Sequence, residues 1–180
     1  MLRYKERDYE QRIQYLQALR AYITEQGSEY IVYIDETGFE KEGVNTHGWS
    51  KQGKRLYGEQ PSNRRPRTSL VAGKWNETLL APVLFAGVMD GIWFHTWLQE
   101  HLLPELPAPS LLILDNAPFH KKAAIRAQLE GTPHTVLFLP PYSPDFNPIE
   151  QVFAWMKNKR KHVPDISLDE LVLSYGSFLS

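Results

Sequence analysis

The chain has 180 residues, enough for one domain with a core of its own, and its 42% apolar content is ordinary for a soluble protein. It contains no cysteine, which excludes disulfides, zinc–thiolate sites and thiol catalysis. The formal net charge is −1, yet between Lys41 and Lys74 eight Lys or Arg stand against two Glu, and KNKRKH near the end is a second basic cluster. Such clusters fit either solvated surface or nucleic-acid contact. The start, MLRYKERDYEQR, is charged and lacks an apolar signal core. No apolar run approaches the ~20 residues of a membrane helix, so the expectation is a soluble intracellular protein with no membrane partner.

In chain order, residues 1–28 form a leading helix, with Ile13, Leu16, Leu19 and Ile23 on one face and Gly27 ending it. YIVYID is a β-rich run ending at Asp35. Residues 41–65 are polar and rich in Gly and Lys, which predicts an inserted loop or loose hairpin. TSLVAGKW and TLLAPVLFAGVM read as two strands joined by Asn76-Glu77. GIWFHTWLQEHLLPEL reads as a helix with Ile92, Trp93, Trp97 and Leu98 inward. SLLILD is a buried strand ending at Asp115; KKAAIRAQLE is a helix and TVLFLP a strand. PIEQVFAWMKNKRKH is a helix with an apolar stripe at Ile149, Val152, Phe153 and Met156, and a short helix follows Ser167. Strands joined by short turns pair antiparallel, and strands separated by helices pair parallel. The expected architecture is an α/β fold with a mixed five-stranded sheet flanked by helices, an extra N-terminal helix, and no linker dividing residues 1–180.

Asp35 and Asp115 each close an apolar strand, and ligand sites of α/β sheets gather at such ends. On neighbouring strands, about 4.8 Å apart, the two carboxylates would reach a shared cation. Their mutual repulsion would raise their pKa values unless a divalent ion relieved it, and all-oxygen ligation points to Mg²⁺ or Mn²⁺. An Asp at a strand end also commonly begins a turn. The stretch PPYSPDFNPIE holds four prolines and two acids in eleven residues. Asn147 suits an N-cap, Pro148 the first helical position and Glu150 the third, a capping-box pattern that fixes Glu150 at a helix start. Asp145 reads as a turn residue. At about 100° per residue, Lys157 and Lys161 share a helical face with Glu150, an acid followed by bases that would suit a phosphodiester, or an ordinary exposed face.

YIDETGF, LILDNAPFH and PPYSPDFNPIE, in this order and with 34 residues between Asp115 and Glu150, resemble the three catalytic blocks of DDE transposases in the mariner superfamily, specifically its bacterial insertion-sequence branch. GWSKQGK is similar to that family's segment after the first acid. The resemblance implies an RNase H-like fold, with Asp35, Asp115 and Glu150 catalytic and binding two Mg²⁺ or Mn²⁺ ions for in-line displacement at phosphorus. It implies DNA as partner, both transposon ends and target, a homodimer on DNA, and a place at the nucleoid in the bacterial cytoplasm. It makes Asn116 and His120 supporting residues of the site. Lys51, Lys54, Arg55, Arg64, Arg65, Arg67, Lys157 and Lys161 are then the candidate DNA contacts.

Family members carry helix-turn-helix modules ahead of the catalytic domain, and this sequence shows none, so the chain is expected to bind DNA without sequence preference. Two other readings stay open at this point. One is a non-transposase nuclease of the RNase H fold. The other is an inactive relic that only binds DNA.

Overall fold

The computed structural model describes residues 8–40, 67–118, 120–163 and 165–175. Helix α1 spans Tyr9–Gln26, and strands β1 (Ile31–Glu40), β2 (Arg67–Trp75) and β3 (Thr78–Ala86) follow. Helix α2 (Gly91–Trp97) runs through a π-helical stretch, Leu98–Leu102, into a last turn, α3 (Leu103–Glu105). Then come β4 (Leu111–Leu114), α4 (Lys122–Leu129), β5 (Thr135–Phe138), a 3₁₀ turn at Pro144–Phe146, α5 (Ile149–His162) and α6 (Leu168–Ser174). The expected loop at 41–65, with Lys51, Lys54, Arg55, Arg64 and Arg65, lies outside the described residues.

The sheet order is β3-β2-β1-β4-β5. The β1–β2 and β2–β3 pairs are antiparallel, and β1–β4 and β4–β5 are parallel. The mixed sheet is the one expected. Its hairpin turns on Asn76, at φ 49°, a left-handed conformation that Asn tolerates. A β-bulge between β2 and β3 leaves Ala81 at φ 46°. The backbone groups freed there are satisfied from the helical layer: Ala81 N–H donates to Glu105 Oε2 at 2.8 Å, and Trp97 Nε1 donates to the Ala81 carbonyl at 2.9 Å.

Side chains alternate across the strands and so divide between two faces. Val32, Ile34, Val71, Leu112 and Leu114 point under α2, the π-helical stretch and α4, where Phe94, Trp97, Leu98, Leu102, Ile125 and Leu129 bury against them. On the other face Ile31, Leu111 and Ile113 lie under α1, and Phe39, Leu70 and Ala72 lie under α5 and α6. The predicted stripe of α5, Ile149, Val152, Phe153 and Met156, is buried there in full. Each such side chain contributes roughly 1.5–3 kcal/mol, which holds α5 to the sheet. Capping of α6 by Ser167 is reciprocal with Glu170.

Three expectations need correction. The apolar stripe of α1 faces outward at Ile13, Leu16 and Ile23; the inward face is Tyr15, Leu19 and Tyr22, because Tyr15 stacks on Phe146 at 5.2 Å. In α2, Ile92 and Trp93 are exposed, and Phe94 takes the inward place beside Trp97 and Leu98. Strand β1 does not stop at Asp35. It runs five residues further, paired with β2 alone, from Asp35↔Ala72 to Glu40↔Arg67.

Candidate active site

The parallel register of β1 and β4 ends at Ile34↔Leu114. Asp35 and Asp115 are the next residue on each chain. Both follow the alternation of the face covered by α1 and α5, so their carboxyls leave the sheet side by side where β4 stops and β1 continues. Asp35 is held from two directions. The Glu36 amide donates to its Oδ1 at 2.7 Å, and Asn147 Nδ2 donates to its Oδ2 at 3.1 Å. Burial pushes this carboxyl up to about 7; the Glu36 amide opposes that, and the fields of Asp115 and Glu150 add to it.

Asp115 differs. Burial would raise it, but the His120 imidazole and the Ala117 amide hold it below the usual carboxylate value. His120 Nδ1 lies 2.8 Å from Asp115 Oδ1, close enough for a charge contact. The Ala117 amide donates to the same oxygen at 3.0 Å. The His120 ring is buried and packs on Phe94, with ring centroids 4.3 Å apart. Asn116 does not turn to Asp115: its Nδ2 donates to the Leu139 carbonyl and ties the ends of β4 and β5 together.

Glu150 enters from the first turn of α5. Its carboxyl is raised by burial and by the charges of Asp115 and Asp145, with Lys157 opposing. The expected cap is not made. Pro148 occupies the N-cap with no side-chain bond, and the Asn147 amide is spent on Asp35 instead.

Arg12, which sequence reasoning missed, secures this loop. Its Nη1 donates to Ser143 Oγ at 2.7 Å and Asp145 Oδ1 at 3.2 Å, and its Nη2 donates to Asp145 Oδ2 at 2.7 Å. The guanidinium carbon also sits 3.9 Å from the centre of the Phe146 ring. Asp145 is therefore more than a turn residue. Tyr142 is a second omission: it stands at φ 52° on the rim, 55% exposed.

Asp35, Asp115, Asn116, Asn147 and Glu150 line one open cavity of ≈ 450 Å³, walled by the prolines at 140, 141 and 144. A second hollow, between β1 and α5, runs from Asp35 and Glu150 to Lys157. A third continues past Phe39 to Arg160 and Lys161. The trough thus leads from acids to bases, as the helical spacing predicted for Lys157 and Lys161. Arg67 stands apart, donating to Glu36 Oε1 at 3.4 Å from across β1 and β2. No helix among the described residues is long and apolar enough to cross a membrane.

The family model of the DDE superfamily endonucleases matches residues 30–171, which contain the whole cavity lining. The chain belongs to this family. Among curated proteins none matches it. Its fold is also that of solved DDE structures. The mariner Mos1 paired-end complex with Mg superposes with a TM-score of 0.68 at 19% identity, over 88% of this chain and 51% of that one. The Mos1 strand transfer complex gives 0.66 at 21%, over 88% and 51%. The Mos1 catalytic domain gives 0.58 at 18%, over 96% and 87%. The DDE chain described here therefore spans about half the length of the Mos1 chains in those complexes. The RNase H-like architecture expected from the motifs is the one the structure has.

Proposed function

We propose that this chain is the catalytic domain of a cut-and-paste DNA transposase of the bacterial insertion-sequence branch, with Asp35, Asp115 and Glu150 as its catalytic, metal-holding residues. One observation carries the reading: within a DDE endonuclease fold, three acids from β1, the end of β4 and the start of α5 line a single open cavity. Among the described residues no three His, Cys, Asp or Glu side chains are grouped closely enough to hold an ion as they stand. The donor set, the carboxylates of Asp35, Asp115 and Glu150, is all oxygen. It fits Mg²⁺ or Mn²⁺ and not zinc.

When bound, two such ions supply charge stabilisation for in-line displacement at phosphorus. The chain's own residues do the rest. His120 and the Ala117 amide keep Asp115 ionised and oriented. Asn116 fixes the spacing of the strand ends behind it. Lys157 and Lys161 hold backbone phosphates along the trough beside α5, with the basic residues before β2 as further contacts. The substrates are transposon ends and target DNA, and the working form is a homodimer on DNA in the bacterial cytoplasm. The likeness to Mos1 complexes solved with a transposon end and after strand transfer supports this.

The test is incubation with Mn²⁺, supercoiled plasmid and pre-cut element ends. Nicking together with joined products is expected, and Asp35→Asn, Asp115→Asn and Glu150→Gln should each abolish both while melting near the wild-type temperature. Nicking without joining would favour a nuclease of the same fold, and no metal-dependent product would favour a binding relic. Full nicking by Glu150→Gln would reduce Glu150 to a helix-start residue.

A further inference from the structure

Asn147 reads as a helix cap, but α5 does not use its side chain. The first amides of the helix are served by backbone: Glu150 N–H donates to the Asn147 carbonyl and Gln151 N–H to the Pro148 carbonyl, each at 3.1 Å. The Asn147 side chain is instead enclosed, at 3% exposure, and its Nδ2 donates to Asp35 Oδ2. Its Oδ1 is buried with no hydrogen-bond partner. A buried acceptor left bare is costly, and native structures seldom keep one without a use. Exchanging the two ends of the amide does not cure it, because the end turned away from Asp35 would then be a bare N–H donor. The bare acceptor is the cost of turning Nδ2 to Asp35 in the cavity that both residues line with Asp115 and Glu150.

We infer that Asn147 is a positioning residue of the divalent-cation site: its Nδ2 locks the oxygen of Asp35 that the backbone leaves free. The Glu36 amide already holds the other oxygen, so Asp35 is fixed at both. Second partners of this kind orient a ligating carboxylate and set how tightly a cation binds. The inference rests on the acids being a cation site.

The test is Mn²⁺ affinity of the whole chain, from the free-ion EPR signal, for wild type, Asn147→Ala and Gln151→Ala, an exposed neighbour as control. Asn147→Ala should bind Mn²⁺ about 10–100-fold more weakly, with wild-type circular dichroism. Gln151→Ala should bind as wild type does. Unchanged affinity in Asn147→Ala, with only a lower melting temperature, would overturn the inference and leave Asn147 structural. Absence of Mn²⁺ binding by wild type would overturn the cation site itself, and this inference with it. A measurement independent of any variant is the NMR signal of the Asn147 side-chain amide in wild type. It should shift on Mg²⁺ addition, and a signal that stays put at saturation refutes the role.

Discussion

Arg12→Ala removes a contact that spans 133 residues of sequence, from α1 to the loop in front of Glu150. The pair with Asp145 is partly shielded: the two side chains are 14% and 25% exposed, and the Asp145 carboxylate is met at both oxygens. Hydrogen bonds to charged groups contribute about 1.5–3 kcal/mol each when shielded, and the stacking of the guanidinium on Phe146 adds about 0.5–1. Partial rehydration of Asp145 returns some of this, so the expected loss is about 2–4 kcal/mol. For a domain of this size that lowers the melting temperature by about 4–16 °C. Asp145→Ala should cost less, about 1–2 kcal/mol, because a freed arginine swings into water. Chemical denaturation of the two single variants and the double variant gives the coupling, expected at about 1–2 kcal/mol. Arg12→Lys should recover under half of the loss, since a point charge cannot reach both oxygens and Ser143 together. A coupling below about 0.5 kcal/mol would refute the reasoning and class the pair with solvent-screened surface contacts.

Stability should depend on pH through Asp35. A carboxyl raised to about 7 in the fold binds its proton more tightly there than in the unfolded chain, so its contribution is full below the ordinary value of 3.8 and is lost as pH climbs through 7. Glu150 is raised too and acts in the same direction. Ion-free protein should therefore melt lower at pH 8 than at pH 5.5, Asp35→Asn should flatten that difference, and Mn²⁺ at ten times its Kd should restore about 1.4 kcal/mol at pH 8. A pH-independent melting temperature in wild type would contradict the burial of Asp35. Lys157→Ala with Lys161→Ala should lower the salt dependence of DNA binding by about one to two in log–log slope with little change in folding, as titrations at several salt concentrations would show. An unchanged slope would place this face of α5 away from DNA.

The strands along the chain and the stripe of α5 were legible because apolar alternation and helical spacing are local. Orientation was harder. In α1, both Ile13-Leu16-Ile23 and Tyr15-Leu19-Tyr22 repeat at helical spacing. What selects the second is partners far along the chain: the Phe146 ring for Tyr15, and the Pro109 carbonyl, 3.2 Å from the Tyr22 hydroxyl. The length of β1 was partly readable. Its apolar run breaks at Asp35, but alternation persists in buried Thr37 and Phe39, and that period was the missed signal. The three acids were visible by their motifs. Their environments were not, since a sequence cannot say that Asp115 meets His120 while Asp35 meets Asn147. The pattern of Asn147 and Glu150 satisfied a local rule, and a partner 112 residues away overrode it.

All five strands end by Phe138, and Asn147 and Glu150 come after them. During synthesis the sheet can therefore pair while the patch made by Phe39, Leu70 and Ala72 is still wet and the third acid is still absent. Of the two helices that later cover this patch, α5 is the one that carries Glu150. Covering of this face by α5 and arrival of Glu150 at the cavity are then a single event, driven by burial of Ile149, Val152, Phe153 and Met156. A chain in which α5 has not docked would hold two of the three carboxylates and an incomplete cavity. Placement of the third carboxylate is in this way tied to the packing of the helix that carries it.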